Sequence, residues 1–473
     1  MEPETFIRIN RRVFLQSLVI LFVLMMAAGI LTRVLPAGAY HRVQVDGREM
    51  IDPGSYRLVP RPDYPIWRWF TAPVEVLGAP GNLMVIVIIL FVLLIVGAFA
   101  VLERSGIVRA AVRRIVRQFG HRKYALLLVV SFFFMALGAF FGIFEEVVPL
   151  VPMMLVLSRA LGWDVRVGLG MSILATNLGF SAAITNPFTI GVAQELAGLP
   201  LFSGWWLRIF VFAAVYLVFA AFLIAQARQV ERNPDGALTF QEEPSAPGEG
   251  EPPYVGRALT WFGSLTLLNL VVLSVGPFIP GLSDFILPIV GLLFLVAGVG
   301  AGLLSGAGGR VVGRALLDGW AGIAASIPLI LMAASVRHIV VQGGVLDTLL
   351  HLASQPFREA NPFFSVLAMV GLTLLLEFFV PSGSAKAFLM MPILLPLGEL
   401  LGVTRQTVIL AFCFGDGFSN LMYPTNPILL ISLGLASLSY SRWFRWSLPL
   451  WALVFLIALL FLGLAVFIGY GPF

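Results

Sequence analysis

The chain has 473 residues, of which 59% are hydrophobic and only 12% are charged, and its formal net charge is +5. This high apolar content excludes an ordinary soluble globular protein and is typical of a polytopic membrane protein. The arginines lie mainly between apolar stretches, as the positive-inside rule requires, so we expect membrane lipid around the chain and no nucleic-acid partner.

Seven apolar stretches are long enough to cross a bilayer, since about 20 helical residues span the hydrocarbon core. They are residues 13–35, 83–102, 207–227, 258–276, 285–304, 320–341 and 447–468. Arg8, Arg11 and Arg12 precede the first stretch, and no small-residue cleavage site follows it. We therefore predict a retained first span with a cytoplasmic N-terminus.

Three polar segments separate these stretches. Residues 37–81 hold charges of both signs and several prolines, which predicts an irregular external loop. Residues 104–123 intersperse basic and apolar side chains and predict a basic amphipathic helix on the cytoplasmic face. Residues 229–257 are acidic and rich in proline, which predicts a flexible cytoplasmic linker. This linker divides the chain into a first half, residues 1–228, and a second half, residues 258–473.

The tripeptide Thr-Asn-Pro occurs once in each half, at 185–187 and again 240 residues later at 425–427. Each copy follows a Gly-Phe-Ser by a few residues and lies in a long apolar stretch. A break in a membrane helix exposes backbone groups that lipid cannot satisfy, so each break must line a protected cavity. Matching interruptions in two halves indicate the binding site of a secondary transporter.

We predict broken helices over 165–196 and 404–436, and re-entrant hairpins over 124–161 and 363–401. Two full spans in place of each hairpin fit the charge pattern equally well. With hairpins, the chain crosses nine times and its C-terminus lies outside. The expected fold is an all-α polytopic membrane protein with an inverted-topology repeat, whose tips and breaks meet near the bilayer centre.

The candidate site residues are polar groups deep in these apolar segments, where they are costly unless they function. The groups predicted to bind a substrate carboxylate are Thr185, Asn186, Ser382, Gly383, Ser384, Lys386, Asn420, Thr425 and Asn426. The groups predicted to couple transport to an ion are Glu145, Glu146, Asn177, Ser181, Asp416 and Ser419. We expect a small anionic or zwitterionic substrate, Na⁺ or H⁺ as coupling ion, and neither a cofactor nor a transition metal.

Several simpler interpretations stay open at this stage. Each helix break can serve packing alone, and Glu145 or Glu146 can cap a helix. Lys386 can form a structural ion pair with Glu377 or Asp416 instead of binding substrate. A Ser–Lys dyad of an intramembrane hydrolase is a further alternative. We predict no enzyme, because a single-site hydrolase gives no reason for a second, related broken helix.

Three segments resemble the YfcC family, within the DcuC-type group of the ion transporter superfamily, which is named for a C4-dicarboxylate carrier. They are TNPFTIGVAQELAGLP (185–200), PSGSAKAFLMMPILLPLGELLGV (381–403) and RQTVILAFCFGDGFSNLMYPTNP (405–427). The resemblance implies a homodimer with a scaffold domain and a transport domain that moves as an elevator. It also implies Ser-Asn-Thr-type motifs that hold sodium and carboxylate. Here Ser419-Asn420 matches that motif, whereas the first copy has Ser181-Ala182.

We therefore predict a secondary active transporter of the bacterial cytoplasmic membrane. The leading substrate is a small organic anion of dicarboxylate type, coupled to Na⁺ or H⁺. The alternative is an amino-acid or short-peptide transporter or exchanger. In that alternative the substrate amine lies against Glu145, Glu146 or Asp416.

Overall fold

The computed structural model describes residues 11–45, 48–79, 83–233, 238, 253–276, 279, 285–324, 327–354, 361–380 and 382–471. Within these ranges the chain forms 20 α-helices. They are α1 (Arg11–Val34), α2 (Arg68–Gly78), α3 (Leu83–Arg104), α4 (Ile107–Phe119), α5 (Lys123–Phe141), α6 (Val151–Ala160), α7 (Val165–Leu169), α8 (Ala175–Ala182), α9 (Val192–Leu196), α10 (Trp205–Arg232), α11 (Val255–Val275), α12 (Ile286–Leu304), α13 (Gly309–Ala324), α14 (Ile327–Gln342), α15 (Leu346–Ser354), α16 (Pro362–Glu377), α17 (Gly383–Leu400), α18 (Arg405–Gly417), α19 (Pro427–Leu435) and α20 (Tyr440–Ile468).

Seven helical stretches of the described residues are long and apolar enough to cross a membrane. They are Val85–Arg104, Ile107–Phe141, Val165–Leu196, Trp205–Arg232, Val255–Leu273, Ile286–Leu304 and Tyr440–Ile468. The helices α13 and α14 form a pair bent by 42° that makes an eighth crossing when taken together. The chain is therefore an all-α polytopic membrane protein, as predicted. The predicted single span at 320–341 is divided in the structure, and residues 325–326 at its division lie outside the described ranges.

The described part of residues 37–81 is more ordered than the sequence predicted. Strands β1 (Gly38–Ala39) and β4 (Arg57–Leu58) pair antiparallel, as do β2 (Arg42–Val45) and β3 (Arg48–Ile51). The backbone amide of Tyr40 donates to Asp347 Oδ2 of α15 at 3.0 Å, which ties the strands to that helix. The predicted irregular loop is wrong here, because contacts with a helix 300 residues later stabilise strands too short to recognise alone.

The predicted linker is narrower than 229–257, because α10 continues to Arg232 and α11 begins at Val255. Residues 234–237 and 239–252, which carry most of its acids and prolines, lie outside the described ranges. The basic amphipathic helix predicted at 104–123 corresponds to α4 and the short 3₁₀ turn that follows it.

The helices form two groups that pack internally. In one group α3, α11, α12 and α13 pack together, and α14 packs on α1 and α2. In the other group α5 packs on α8, α18 packs on α16 and α17, and α10 packs on α20. Glycines let α5 and α8 approach closely, since a methyl group at Gly179 would lie 3.0 Å from the Met135 Cα atom. The two Thr-Asn-Pro segments lie between α8 and α9 and between α18 and α19.

Candidate functional site

The first break separates α8 from α9. Ala183 adopts left-handed backbone angles, with φ 44° and ψ 53°, and ends α8. The chain becomes helical again at Pro187, through a π-helical turn that leads into α9. Asn186 Oδ1 accepts hydrogen bonds from the backbone amides of Phe188 and Thr189, at 2.9 and 3.3 Å. Asn is a favoured N-cap and Pro a favoured first helical residue, so Thr-Asn-Pro restarts a helix.

The second break separates α18 from α19 and uses the same chemistry. Asn426 Oδ1 accepts hydrogen bonds from the backbone amides of Ile428 and Leu429, at 2.9 and 3.4 Å. Pro427 again occupies the first helical position, where no amide donor is needed. The repeated tripeptide is thus explained by two restarted helices inside the apolar region. The two asparagine side-chain oxygens therefore accept hydrogen bonds from backbone amides, although both asparagines were predicted to bind the substrate.

The turn after α5, which we call the first tip (142–144), is fastened to the first break. The Thr185 hydroxyl donates to the Phe140 carbonyl at 2.8 Å, and its backbone amide donates to the Ala139 carbonyl at 3.1 Å. Gly142 has a positive φ of 68°, and a side chain there would overlap the Asn186 amide. Thr185 therefore holds the C-terminal end of α5 to the break, and its hydroxyl proton is already used.

The start of α17 with its cap, which we call the second tip (382–384), touches both broken helices. Ser382 is exposed and caps α17, accepting from the Ala385 amide at 3.4 Å. A methyl group at Gly383 would lie 2.8 Å from Thr189 Cγ2 and 3.0 Å from Asp416 Oδ2. Thr189 follows the first break and Asp416 precedes the second. The second tip therefore brings the two breaks into one site.

A buried ion cluster joins three helices behind the second tip. Lys386 of α17 and Asp416 of α18 are fully buried, and Glu377 of α16 is 1% exposed. The Lys386 ammonium contacts Glu377 Oε2 and lies 2.5 Å from Asp416 Oδ1. This arrangement favours the structural ion pair over direct binding of substrate by Lys386.

The side chains of Ser382 and Ser384 contact each other, whereas the Lys386 side chain contacts carboxylates. Ser382 Oγ and Ser384 Oγ lie 3.5 Å apart, and both side chains are at least partly accessible. The Lys386 ammonium contacts the carboxylates of Glu377 and Asp416 and not a serine hydroxyl. The geometry of the Ser–Lys pair gives the hydrolase interpretation no support.

The broken helices cross directly at Ser181 and Gly417, since a methyl group at Gly417 would lie 2.5 Å from Ser181 Cα. Ser181 Oγ donates to the Asn177 carbonyl at 2.7 Å, and Ser419 Oγ donates to the Gly415 carbonyl at 2.7 Å. Each hydroxyl oxygen keeps its lone pairs, so both serines can still offer an oxygen to a cation.

Two buried polar side chains of the broken helices have no hydrogen-bond partner among the residues that the structure describes. Asn177 is fully buried, and neither its Oδ1 nor its Nδ2 is bonded. Thr425 is 5% exposed, and its Oγ1 atom is also unbonded. An unsatisfied buried polar group costs about 1–3 kcal/mol, so a ligand that bonded Asn177 or Thr425 would remove that cost. Asn420, at 3% exposure, lies in the turn of the second break.

Glu145 and Glu146 lie in a 3₁₀ helix, Glu145–Leu150, that follows the first tip. Both side chains are partly buried, and Glu146 Oε2 accepts from the Phe144 amide at 3.1 Å. The segment contacts α19, and Glu145 lies within electrostatic range of Asp416. The structure thus brings both predicted glutamates into the region of the breaks.

Sequence reasoning missed a polar network behind the first break. Arg208 of α10 is fully buried, and its guanidinium donates to the Ile184 carbonyl at 3.0 Å and the Ser203 carbonyl at 2.9 Å. It also donates to the Tyr470 hydroxyl at 3.2 Å. A charged residue in an apolar stretch was the available signal. Arg208 lies close to Trp206 at the start of that apolar stretch. Tryptophan and arginine there are typical of the membrane interface, so the sequence alone did not mark Arg208 as buried.

A second part of this network links the two broken helices. Gln194 of α9 donates to Gln406 Oε1 of α18 at 3.1 Å. The Gln406 amide in turn donates to Ser203 Oγ at 2.5 Å. Both glutamine side chains are buried. The far ends of the broken helices are therefore held together by side-chain amides.

The two asparagine caps give a prediction about stability. Asn186→Ala and Asn426→Ala should each lower the free energy of unfolding by about 0.5–2 kcal/mol, because a cap is lost. The serine variants should recover most of that loss, because serine also caps. Thermal unfolding of purified protein measures both effects. Asn361→Ala, which removes the exposed cap of α16, is the control for losing a cap away from the breaks. Serine variants as unstable as the alanine variants would assign the amides a contact beyond capping.

A sequence model of a known family, described as C4-dicarboxylate anaerobic carrier, matches residues 14–467. The chain belongs to this DcuC family. The resemblance found in the sequence motifs is thereby confirmed. The family's members are membrane transporters by description, in agreement with the apolar helices of this chain.

Two relatives and one solved structure are similar over most of the chain. A protein of Escherichia coli K12 named "Putative basic amino acid antiporter YfcC" is 29% identical, with 96% of each chain covered. An uncharacterized protein of Haemophilus influenzae is 23% identical over 82% of this chain and 76% of its own. The YdaH transporter of Alcanivorax borkumensis has a TM-score of 0.45 and 20% identity, covering 97% of this chain and 100% of its own.

Proposed function

We propose that the protein is a secondary transporter that exchanges amino acids with a cationic side chain across the bacterial cytoplasmic membrane. The observation that carries this proposal is the charge around the breaks. Glu145, Glu146, Glu377 and Asp416 lie there with two cations, the Lys386 ammonium and the Arg208 guanidinium behind the first break. When all are ionised, the carboxylates outnumber the cations, so a cationic solute is favoured over an anion. The name of the Escherichia coli relative points to the same substrate class.

The substrate's own carboxylate needs hydrogen-bond donors. Asn177 Nδ2 and Thr425 Oγ1 are buried and unbonded, so we assign them this role. The hydroxyls of Ser382 and Ser384 and the Asn420 amide are further donors at the second tip and second break. The asparagine caps act indirectly, by fixing where the half-helices begin.

We further propose that the two halves form an inverted repeat, with α5–α6 and α16–α17 as re-entrant hairpins. The hairpins and broken helices would move as one body against the α3, α11, α12 and α13 group, in an elevator motion. Internal packing within each group supports two such bodies. A homodimer through the α3, α11, α12 and α13 group is part of this proposal. Apolar side chains of α11 such as Leu267 and Val271 are exposed there and could form the contact.

Coupling to an ion is the remaining part of the proposal. Glu145, Glu146 and Asp416 are the groups that can carry a proton, since each is a carboxyl group at least partly buried near the breaks. Replacing Asp416 by Asn removes both its charge and its proton, so ion-driven accumulation should be lost.

A dicarboxylate is the second candidate substrate. The two half-helix N-termini at Pro187 and Pro427 favour negative charge, and the family description names a C4-dicarboxylate carrier. Against it stand the excess of carboxylates and the caps that already occupy the helix donors. The two candidates differ in the sign of the ligand charge, so one assay separates them.

Ligand-dependent thermal stability of the purified protein tests the proposal. L-arginine and L-lysine should raise the unfolding temperature, whereas succinate should not. Changing Glu145 and Glu146 together to Gln should weaken binding of L-arginine about ten- to a hundred-fold, the range for lost charged hydrogen bonds. Glu399→Gln is the control, because Glu399 pairs with Arg405 at the surface. A response to succinate and none to L-arginine would replace the proposal by the dicarboxylate candidate.

A further inference from the structure

The buried ammonium of Lys386 occupies a position that a free cation would otherwise have to fill. The chain has only two lysines, Lys123 and Lys386. Lys386 is fully buried between Glu377 and Asp416, which come from two other helices. Two carboxylates at one buried point repel each other unless a cation lies between them.

The surroundings would also suit a small monovalent cation if the lysine were absent. Carboxylate oxygens of Glu377 and Asp416 converge on one point, and Gly383 leaves Asp416 Oδ2 uncovered by a side chain. Such oxygens are the ligands that hard cations prefer. The lysine supplies the same charge, tethered to the chain and with three hydrogen-bond donors.

We propose that Lys386 is a built-in counter-cation that replaces a bound Na⁺ at the second tip, so that this site works without sodium. The ammonium moves with α17 and never dissociates, so the site carries its cation through every step of transport. One carboxylate charge of the cluster is left for a cationic substrate to neutralise. The role of that charge in transport rests on the proposed function, whereas the replacement of Na⁺ does not.

The test is thermal unfolding of purified protein in sodium chloride and in choline chloride at equal ionic strength. The wild-type protein should unfold at the same temperature in both salts. Lys386→Ala leaves two carboxylates and a cavity, so its unfolding temperature should be several degrees higher in sodium chloride. Lys123→Ala is the matched control, because Lys123 pairs with Glu231 at 2.8 Å and is partly exposed. It should show no difference between the salts.

A second variant locates the effect. Lys386→Ala combined with Asp416→Asn removes one carboxylate, so its sodium-dependent shift should be lost. A sodium-dependent shift in the wild-type protein would overturn the proposal, even if no Lys386 variant folds. An equal unfolding temperature of Lys386→Ala in both salts would also overturn it. None of these readouts uses an amino acid, so the proposal and the proposed function fail independently.

Discussion

Changing Glu377 to Gln and Asp416 to Asn together should destabilise the protein by about 3–5 kcal/mol, because the Lys386 ammonium is then buried without a counter-charge. All three side chains are almost completely buried, so water cannot replace the lost partners. We expect a large loss of monodisperse protein after detergent extraction. The measurement is the recovered yield together with the unfolding temperature.

Adding Lys386→Met to that pair should restore most of the stability, since a buried ion cluster replaced by neutral groups of similar size is often tolerated. The restored variant should still fail to transport. Glu399→Gln, which breaks an exposed pair with Arg405, should change stability by less than about 1 kcal/mol. Normal stability of the Glu377→Gln and Asp416→Asn double variant would show that the cluster does not hold the second tip.

Arg208→Met should cause the second largest loss of stability. The Arg208 side chain supports both the first break and the loop before α10. The substitution leaves the Ile184 and Ser203 carbonyls without their charged donor. Each hydrogen bond to a charged group contributes about 1.5–3 kcal/mol, so we expect a loss of about 3–5 kcal/mol in the free energy of unfolding. Chemical unfolding followed by intrinsic tryptophan fluorescence measures it.

Tyr470→Phe provides the comparison for Arg208. It removes one partner of the guanidinium and the hydroxyl that donates to the Gly204 carbonyl, but it leaves the Ile184 and Ser203 carbonyls bonded to Arg208. Because two hydrogen bonds are lost, the expected loss is about 1–2 kcal/mol. Equal effects of the two substitutions would mean that the contact with the C-terminal segment, and not the support of the break, carries the stabilisation.

The breaks were predictable from the sequence because their cause is local. An Asn cap followed by Pro at the first helical position restarts a helix whatever surrounds it. The duplicated tripeptide therefore located both half-helices, and the structure begins them at Pro187 and Pro427. What the Asn side chains bind was not predictable, since their oxygens are used by backbone amides within each restarted turn.

The ion cluster was predictable only as a set of alternatives. Lys386, Glu377 and Asp416 were each recognisable as charges in apolar segments. Which of them meet depends on how α16, α17 and α18 pack, and no local pattern encodes that. Arg208 shows the same limit, because its partners lie in the first break, the following loop and the C-terminal segment.

The four short strands between residues 38 and 58 mark a third kind of limit. Each has two to four residues, too few for an alternating pattern to be distinctive. They are stabilised through distant contacts, such as the ion pair between Arg42 and Asp347 at 2.8 Å. The same contacts place α15, which no apolar stretch predicted, beside β1.

We propose that the acidic region around the two breaks binds a cationic amino acid. Counterflow in proteoliposomes loaded with unlabelled substrate tests this most directly, with choline as the cation on both sides. We expect internal L-arginine or L-lysine to drive uptake of radiolabelled L-arginine, and internal succinate not to do so. Counterflow of radiolabelled succinate against internal succinate, with none for L-arginine, would contradict it.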